Sequence, residues 1–273
     1  MIGRFKLNNV YNEDCYKAIK DIPDKSIDLI YTDIPYDYTN GGKGGGMLKS
    51  EARKKTYIET IGKFDKGINW SILDEFVRVM RYIYIYIWCS KDQILPLMKY
   101  FVEQKGCLFN ILVWCKTNPT PFANDNFLPD IEYCLIFREK GKTKLNDGYR
   151  LKSKWYLSQT NVEDKKNYGH ATIKPLELVE RHIALSTKEN DIVLDPFAGS
   201  STTLLAAKHL HRRYLGFEID KEYFDTSVKR LSGENIKGEL NLFDIDYDWN
   251  WIPKRPNKTY KCYFKGNTQP KRV

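Results

Sequence analysis

The chain of 273 residues is 42% hydrophobic and 14% aromatic, long enough to bury a core without staples and too apolar for intrinsic disorder. No run approaches about eighteen uninterrupted apolar residues, and the start, Met1-Ile2-Gly3-Arg4-Phe5-Lys6, lacks the apolar core of a signal peptide, so a membrane or secreted protein is not expected and the cytoplasm is. Six scattered cysteines without a Cys-x-x-Cys pair, and His209 and His211 without a third ligand beside them, argue against a zinc ribbon, a disulfide framework or any metal site.

The net charge of +9 is unevenly spread. Residues 42–66 carry seven basic and three acidic side chains, residues 138–174 ten and four, and residues 249–273 seven and none, which leaves the remainder acidic. A phosphate-tracking surface on an otherwise acidic enzyme has this pattern. Solvated lysine-rich loops have it too, and charge alone does not separate DNA from RNA.

In chain order, an apolar strand is expected at residues 27–31, running into Asp33-Ile34-Pro35-Tyr36. Residues 40–47, five of them glycine, follow as a loop, either a lid or a passive linker. A helix over 71–80 opens with Ser-x-x-Asp, a capping box. In 82–88 tyrosine alternates with isoleucine, so each type faces one side of an inner strand. Another strand is expected at 107–115, a polar, basic loop at 138–169, and a helix at 175–185 with proline in its first turn. The clearest pattern comes last: strand 191–194, turn 195–201, helix 202–210, strand 213–217 and helix 221–231, a complete βαβ unit. Strands alternating with helices predict an α/β fold with a doubly wound, mostly parallel sheet. One domain is expected over residues 1–248, with a basic tail over 249–273 and no internal repeat.

The turn Asp195-Pro196-Phe197-Ala198-Gly199-Ser200-Ser201-Thr202-Thr203 follows a buried strand and opens a helix, where doubly wound folds hold nucleotide-like ligands. Its single glycine does not suit a pyrophosphate, which needs closer backbone approach. Glu218 ends the next strand 23 residues on, near the spacing of roughly twenty at which a carboxylate meets ribose hydroxyls. Adenosine without phosphate, carrying a sulfonium cation, fits both features.

In the earlier segment, the carboxylate of Asp33 is expected at the carboxyl end of its strand, with Pro35 stiffening the loop. An exocyclic amine on a nucleobase is a poor nucleophile because its lone pair is delocalised into the ring. Hydrogen bonds from that amine to Asp33 and to the Ile34 carbonyl would draw the lone pair out of conjugation, and Tyr36 would stack on a base flipped from the duplex.

These two segments resemble the signatures of the amino-methylating DNA methyltransferases: residues 195–203 look like Asp-Pro-Phe-x-Gly-Ser-Gly-Thr-Thr, and residues 33–36 like Asp-Pro-Pro-Tyr. The catalytic motif comes first, the circularly permuted order of the β group. His170-Ala171-Thr172-Ile173-Lys174-Pro175 and Asn12-Glu13-Asp14-Cys15 resemble two further motifs of that group. The resemblance, covering residues 9–231, implies a Rossmann-like fold and S-adenosylmethionine as cofactor. It implies that Asp33, Ile34, Pro35 and Tyr36 are catalytic. It also implies that Asp195, Phe197, Gly199, Ser200, Ser201 and Thr202 line the cofactor pocket with Asp33, that Glu218 binds ribose, that Asp14 and Cys15 meet adenine, and that Lys174 and Pro175 frame the methionine end.

Two departures stand out: Ile34 replaces a proline, at some cost in rigidity, and Ser201 replaces a glycine, at about 1 kcal/mol if its φ is positive. A catalytic half over 9–137, a target-recognition insertion over 138–169 with Tyr149, Trp155 and Tyr156, and a cofactor half over 170–231 follow from the family pattern. The implied partner is double-stranded DNA, with a homodimer and a paired restriction endonuclease as further expectations and no membrane. Adenine N6 is the expected target; cytosine N4, and a catalytically silent nucleic-acid-binding subunit, are the alternatives. A C5-cytosine mechanism would need the Pro-Cys pair that none of the eleven prolines provides.

Overall fold

The tyrosine–isoleucine alternation builds the centre of the molecule. In the computed structural model, which describes residues 1–36, 67–119, 127–146, 152–160 and 173–233, strand β3 (Tyr84–Cys89) is buried on both faces. Tyr84, Tyr86 and Trp88 pack into one apolar layer, Ile85 and Ile87 into the other. Because helices cover both sides, β2 (Leu29–Asp33) and β7 (Ile192–Asp195) are runs of apolar residues without polar alternation.

The remaining strands are β1 (Asn9–Tyr11), β4 (Leu108–Lys116), β5 (Ile131–Arg138), β6 (Trp155–Ser158) and β8 (Arg213–Phe217), in the order β1-β8-β7-β2-β3-β5-β4-β6. All neighbouring pairs are parallel except those of β5, which runs against both β3 and β4. Helices α1 (Cys15–Ala18), α2 (Ile72–Val79) and α3 (Ile94–Met98) bury Ala18, Phe76 and Leu97 on the face of Ile85 and Ile87. Helices α4 (Leu176–Ser186), α5 (Thr202–His209) and α6 (Lys221–Ser232) bury Ile183, Leu204 and Leu231 on the tyrosine face. The expected doubly wound, mostly parallel sheet is therefore present.

The crossover β2–α2–β3 travels one way along the sheet over one face, and β7–α5–β8 travels the other way over the opposite face. Adjacent strands β2 and β7 thus flank the topological switch point, where a crevice opens at the carboxyl ends of the strands. Asp33 and Asp195 are the last residues of these two strands.

Three expectations are corrected. Residues 138–169 are not all loop: Arg138 ends β5, and Trp155–Ser158 pairs with β4 as an edge strand of the main sheet. Strand β5 itself was not anticipated, although its sequence, Ile-Glu-Tyr-Cys-Leu-Ile-Phe-Arg, is rich in strand formers. The capping box at Ser71 does not form; Asn69 Oδ1 instead accepts from the Ser71 amide and hydroxyl, and Asp74 accepts from the Tyr100 hydroxyl. The glycine-rich segment 40–47, Tyr149, residues 170–172 and the tail 249–273 lie outside the described residues.

Candidate active site

Strand β2 delivers Asp33 to the crevice, and the three residues after it are pinned. The Ile34 amide donates to the Trp88 carbonyl over 3.2 Å, and its side chain is 1% exposed within the core. The rigidity expected to be lost with proline is thus supplied by burial of the isoleucine that replaces it. The Pro35 carbonyl accepts from Gln93 Nε2 at 2.9 Å. Gln93 is itself fixed, because its Oε1 accepts from the Ser90 amide at 3.0 Å in a capping box.

Asp33 Oδ2 accepts from Lys174 Nζ. Asp33 Oδ1 is buried and accepts no hydrogen bond among the described residues. Burial pushes the Asp33 carboxyl above the usual range, opposed by the Lys174 ammonium. Lys174, expected at the methionine end, also lies 3.0 Å from Glu132 Oε2 and 3.4 Å from the Tyr36 hydroxyl. Pro175 caps α4 immediately behind it.

The second half of the site is the turn between β7 and α5. Asp195 is almost fully buried, and burial pushes its carboxyl up to about 7, only partly offset by the neighbouring Thr32 and Thr203 hydroxyls and the Phe197 amide. The chain turns through left-handed conformations at Gly199 (φ 51°) and Ser201 (φ 60°), so the condition attached to the serine's cost is met. The Gly199 amide donates to Glu218 Oε2 at 2.8 Å, and the Asp220 amide to Glu218 Oε1 at 2.7 Å. Burial raises the Glu218 carboxyl, and those amides counter it.

Helix α6 holds the turn from behind. Ser227 Oγ donates to the Gly199 carbonyl at 2.6 Å, and buried Arg230 donates to the Ser200 carbonyl at 2.9 Å and to Thr202 Oγ1 at 2.8 Å. The Thr202 hydroxyl thus accepts from Arg230 and keeps its own proton to donate.

Pairing of β1 with β8 brings the acidic segment to Glu218, with Asn12 Nδ2 donating to the Glu218 and Ile219 carbonyls at 2.8 and 3.1 Å. Asp14 caps α1, and the buried Cys15 thiol is pushed up by burial and by the charges of Asp14 and Glu218. Tyr16 meets Phe197 edge to face, centroids 6.1 Å apart. The sites expected from separate segments thus converge: Asp14, Cys15, Phe197, Gly199 and Glu218 form one group, and Asp33, Tyr36 and Lys174 the other. Trp155 is 60% exposed, whereas the Tyr156 hydroxyl donates to Glu177 at 2.5 Å, which ties it to α4.

Several residues that support the site are not announced by the sequence. Ser90-x-x-Gln93 was a readable capping signal; Glu132 sat in an unanticipated strand; Ser227 and Arg230, three apart on one helix face, gave no sign of their target.

The crevice carries Asp33, Asp195 and Glu218, and the buried cation beside Asp33, Lys174, is already paired. Such a negative edge repels phosphate and suits a cationic ligand bearing ribose hydroxyls, so the residues present fit S-adenosylmethionine and not a dinucleotide.

A DNA methylase family model matches residues 27–229. The type II methyltransferase M2.DpnII of Streptococcus pneumoniae is 31% identical over 253 residues, covering 82% of this chain and 89% of that protein. M2.MboI of Moraxella bovis is 30% identical, covering 81% and 86%. The crystal structure of an M1.HpyAVI–SAM complex superposes with a TM-score of 0.58 at 28% identity, covering 82% of this chain and 98% of that one. The cytosine-N4-specific PvuII methyltransferase, at 18% identity and a TM-score of 0.61, shares the fold. With the motifs in place at the switch point and the family model matched across both halves of the site, the chain belongs to the N6/N4 DNA methylase family.

Proposed function

We propose that the protein is a site-specific methyltransferase that moves a methyl group from S-adenosylmethionine directly to adenine N6 in double-stranded DNA, acting on a base flipped from the duplex. The observation that carries this reading is the divided carboxylate of Asp33: one oxygen is clamped by Lys174, and the other accepts nothing from the described residues.

Glu218 would take the ribose hydroxyls, Asp14 and Cys15 the adenine edge, and Asp195 the cationic end of the cofactor. When bound, S-adenosylmethionine supplies an electrophilic methyl group on a sulfonium. The free Asp33 oxygen and the Ile34 carbonyl would accept hydrogen bonds from the two amine N–H groups, which turns the nitrogen lone pair out of the base plane, and the proton that the methylated nitrogen must lose would leave along its hydrogen bond to Asp33. Tyr36 stacks on the base. The Gln93 bond to the Pro35 carbonyl keeps the neighbouring Ile34 carbonyl from swinging away. This is electrostatic preorganisation without a covalent enzyme intermediate.

Residues 1–248 would form the methyltransferase domain, with residues 138–169 reading the target and the basic stretch 249–273 tracking phosphate. It includes a homodimer and a paired restriction endonuclease as partners, and a cytoplasmic location. No helix of the described residues is long and apolar enough to cross a membrane.

Incubating unmethylated duplex DNA with the protein and labelled S-adenosylmethionine, then digesting to nucleosides, should place the label on N6-methyl-2′-deoxyadenosine. Label on cytosine alone would overturn adenine as the target. Asp33→Ala should abolish transfer and retain cofactor binding.

A further inference from the structure

Four buried or half-buried charges of alternating sign cross the sheet edge beside the crevice. Lys116 Nζ on β4 lies 2.5 Å from Glu132 Oε1 on β5. Glu132 Oε2 lies 3.0 Å from Lys174 Nζ, and Lys174 donates to Asp33 Oδ2 on β2. Lys174 also sits over the rings of Trp88 and Tyr36, 5.2 and 5.7 Å from their centroids. Its side chain is 6% exposed, those of Glu132 and Lys116 11% and 17%. Burying this many ions is unfavourable unless they neutralise one another. Two lysines against two carboxylates do so.

We propose that Lys174, backed by Glu132 and Lys116, is a positioning residue for methyl transfer: the chain of charges holds one oxygen of Asp33 and presents the other, ionised, to the target amine. The proposal rests on the reading of Asp33 as the group that polarises the amine. A protonated Asp33 would be a weak acceptor, and its hydroxyl would compete for the lone pair it has to expose. Burial drives Asp33 toward that form, and Lys174 is the cation that opposes it. Glu132 alone would pull Lys174 away from Asp33 and add negative charge, so Lys116 is needed to balance it. The charged pair Lys116–Glu132 also fixes where Lys174 can reach, since Glu132 is held from both sides.

Among the described residues, few other titratable groups face the chain of charges. Burial keeps the thiols of Cys89 on β3 and Cys134 on β5, and the Tyr31 phenol on β2, protonated well above neutral pH. The Tyr36 hydroxyl stands on the loop, and Asp195 on β7 shares the field of Asp33. With cofactor saturating, Asp195 is occupied by its ligand and the acid limb of kcat reports Asp33.

The test is the pH dependence of kcat on amplified, unmethylated genomic DNA with saturating S-adenosylmethionine. Lys174→Met and Lys116→Met should each move the acid limb to higher pH, the former by about one unit or more, with roughly 10- to 100-fold less transfer at pH 7 that recovers in alkali. Glu132→Gln should move it to lower pH, and Lys174→Arg should retain the native profile. Cofactor affinity, read by calorimetry, should stay within about threefold, because the chain acts on the amine side of the site. A limb that does not move, or that moves in one direction for cation and anion removal alike, overturns the positioning chain. If Lys174→Met fails to fold, the opposed shifts of Lys116→Met and Glu132→Gln decide the matter. Absence of transfer by the unmodified protein at every pH would instead overturn the reading of Asp33, and the chain with it.

Discussion

Gln93 and Pro35 are joined by a hydrogen bond of 2.9 Å from the side-chain amide of one to the carbonyl of the other. The glutamine is 1% exposed and 58 residues away in sequence. The bond ties the loop after β2 to a capping box that also starts the next helical segment, so a helix start and the loop that carries the Ile34 carbonyl share one side chain.

Gln93→Ala should therefore lower kcat about tenfold while leaving cofactor affinity unchanged, because the loop loses its brace and not its binding groups. Loss of the cap should also cost about 1 kcal/mol in urea unfolding. Steady-state kinetics and denaturation on the same preparation separate the two effects. Unaltered kcat would show that Ile34 burial alone holds the loop.

Cofactor binding should depend on pH through Asp195. A carboxyl pushed up to about 7 is substantially protonated below neutrality. Binding a cation there requires ionisation, so the Kd for S-adenosylmethionine should rise roughly tenfold per unit as pH falls below about 7. The stability of the ligand-free protein follows the opposite course: the folded state binds this proton more tightly than the unfolded state. The contribution is fully present below the unfolded pKa near 3.8 and is lost as pH rises through about 7. Asp195→Asn should then abolish cofactor binding yet raise ligand-free stability at pH 8 by about 2–4 kcal/mol. Calorimetric titration and thermal unfolding at three pH values test both signs.

Ser201 is held at φ 60° with its hydroxyl buried and without a hydrogen-bond partner among the described residues. Glycine adopts that angle freely and buries no hydroxyl, so Ser201→Gly should stabilise the protein by about 1 kcal/mol, with a rise of roughly 2–4 °C in Tm. Activity should be retained. A fall in stability would mean that the serine hydroxyl has a use the ligand-free structure does not reveal.

Arg230→Met should be severe despite its distance from Asp33. Its buried guanidinium satisfies the Ser200 carbonyl and the Ser200 and Thr202 hydroxyls, all in the cofactor turn. Leaving these groups unpaired should cost about 2–4 kcal/mol and weaken cofactor binding at least tenfold, with less effect on kcat at saturation. Comparing Kd with kcat distinguishes this from a general loss of fold.

Much of the site was legible because it is local. A buried strand running into Asp33-Ile34-Pro35-Tyr36, and another running into the turn at Asp195, announce themselves through short-range patterns, and Glu218 lies one strand–helix–strand step further on. The Tyr84–Trp88 alternation likewise fixes a strand and both of its faces. Strands β5 and β6 were harder to see. Residues at their solvent-facing ends are partly exposed, which blurs the pattern, and β5 runs against its neighbours where alternation of strands and helices implies only parallel ones.

Fold class, the order of the two motifs and the identity of the acids at the strand ends are thus local properties, since they follow from periodicity and from where the apolar runs stop. What each acid touches is set by contacts between distant segments. Lys174 reaches Asp33 across 141 residues, and Arg230 reaches Ser200 across 30. Burial, which no local pattern reports, turns those contacts into pKa shifts. Pairing between distant segments sets both, because strand order places side chains by register and not by distance along the chain.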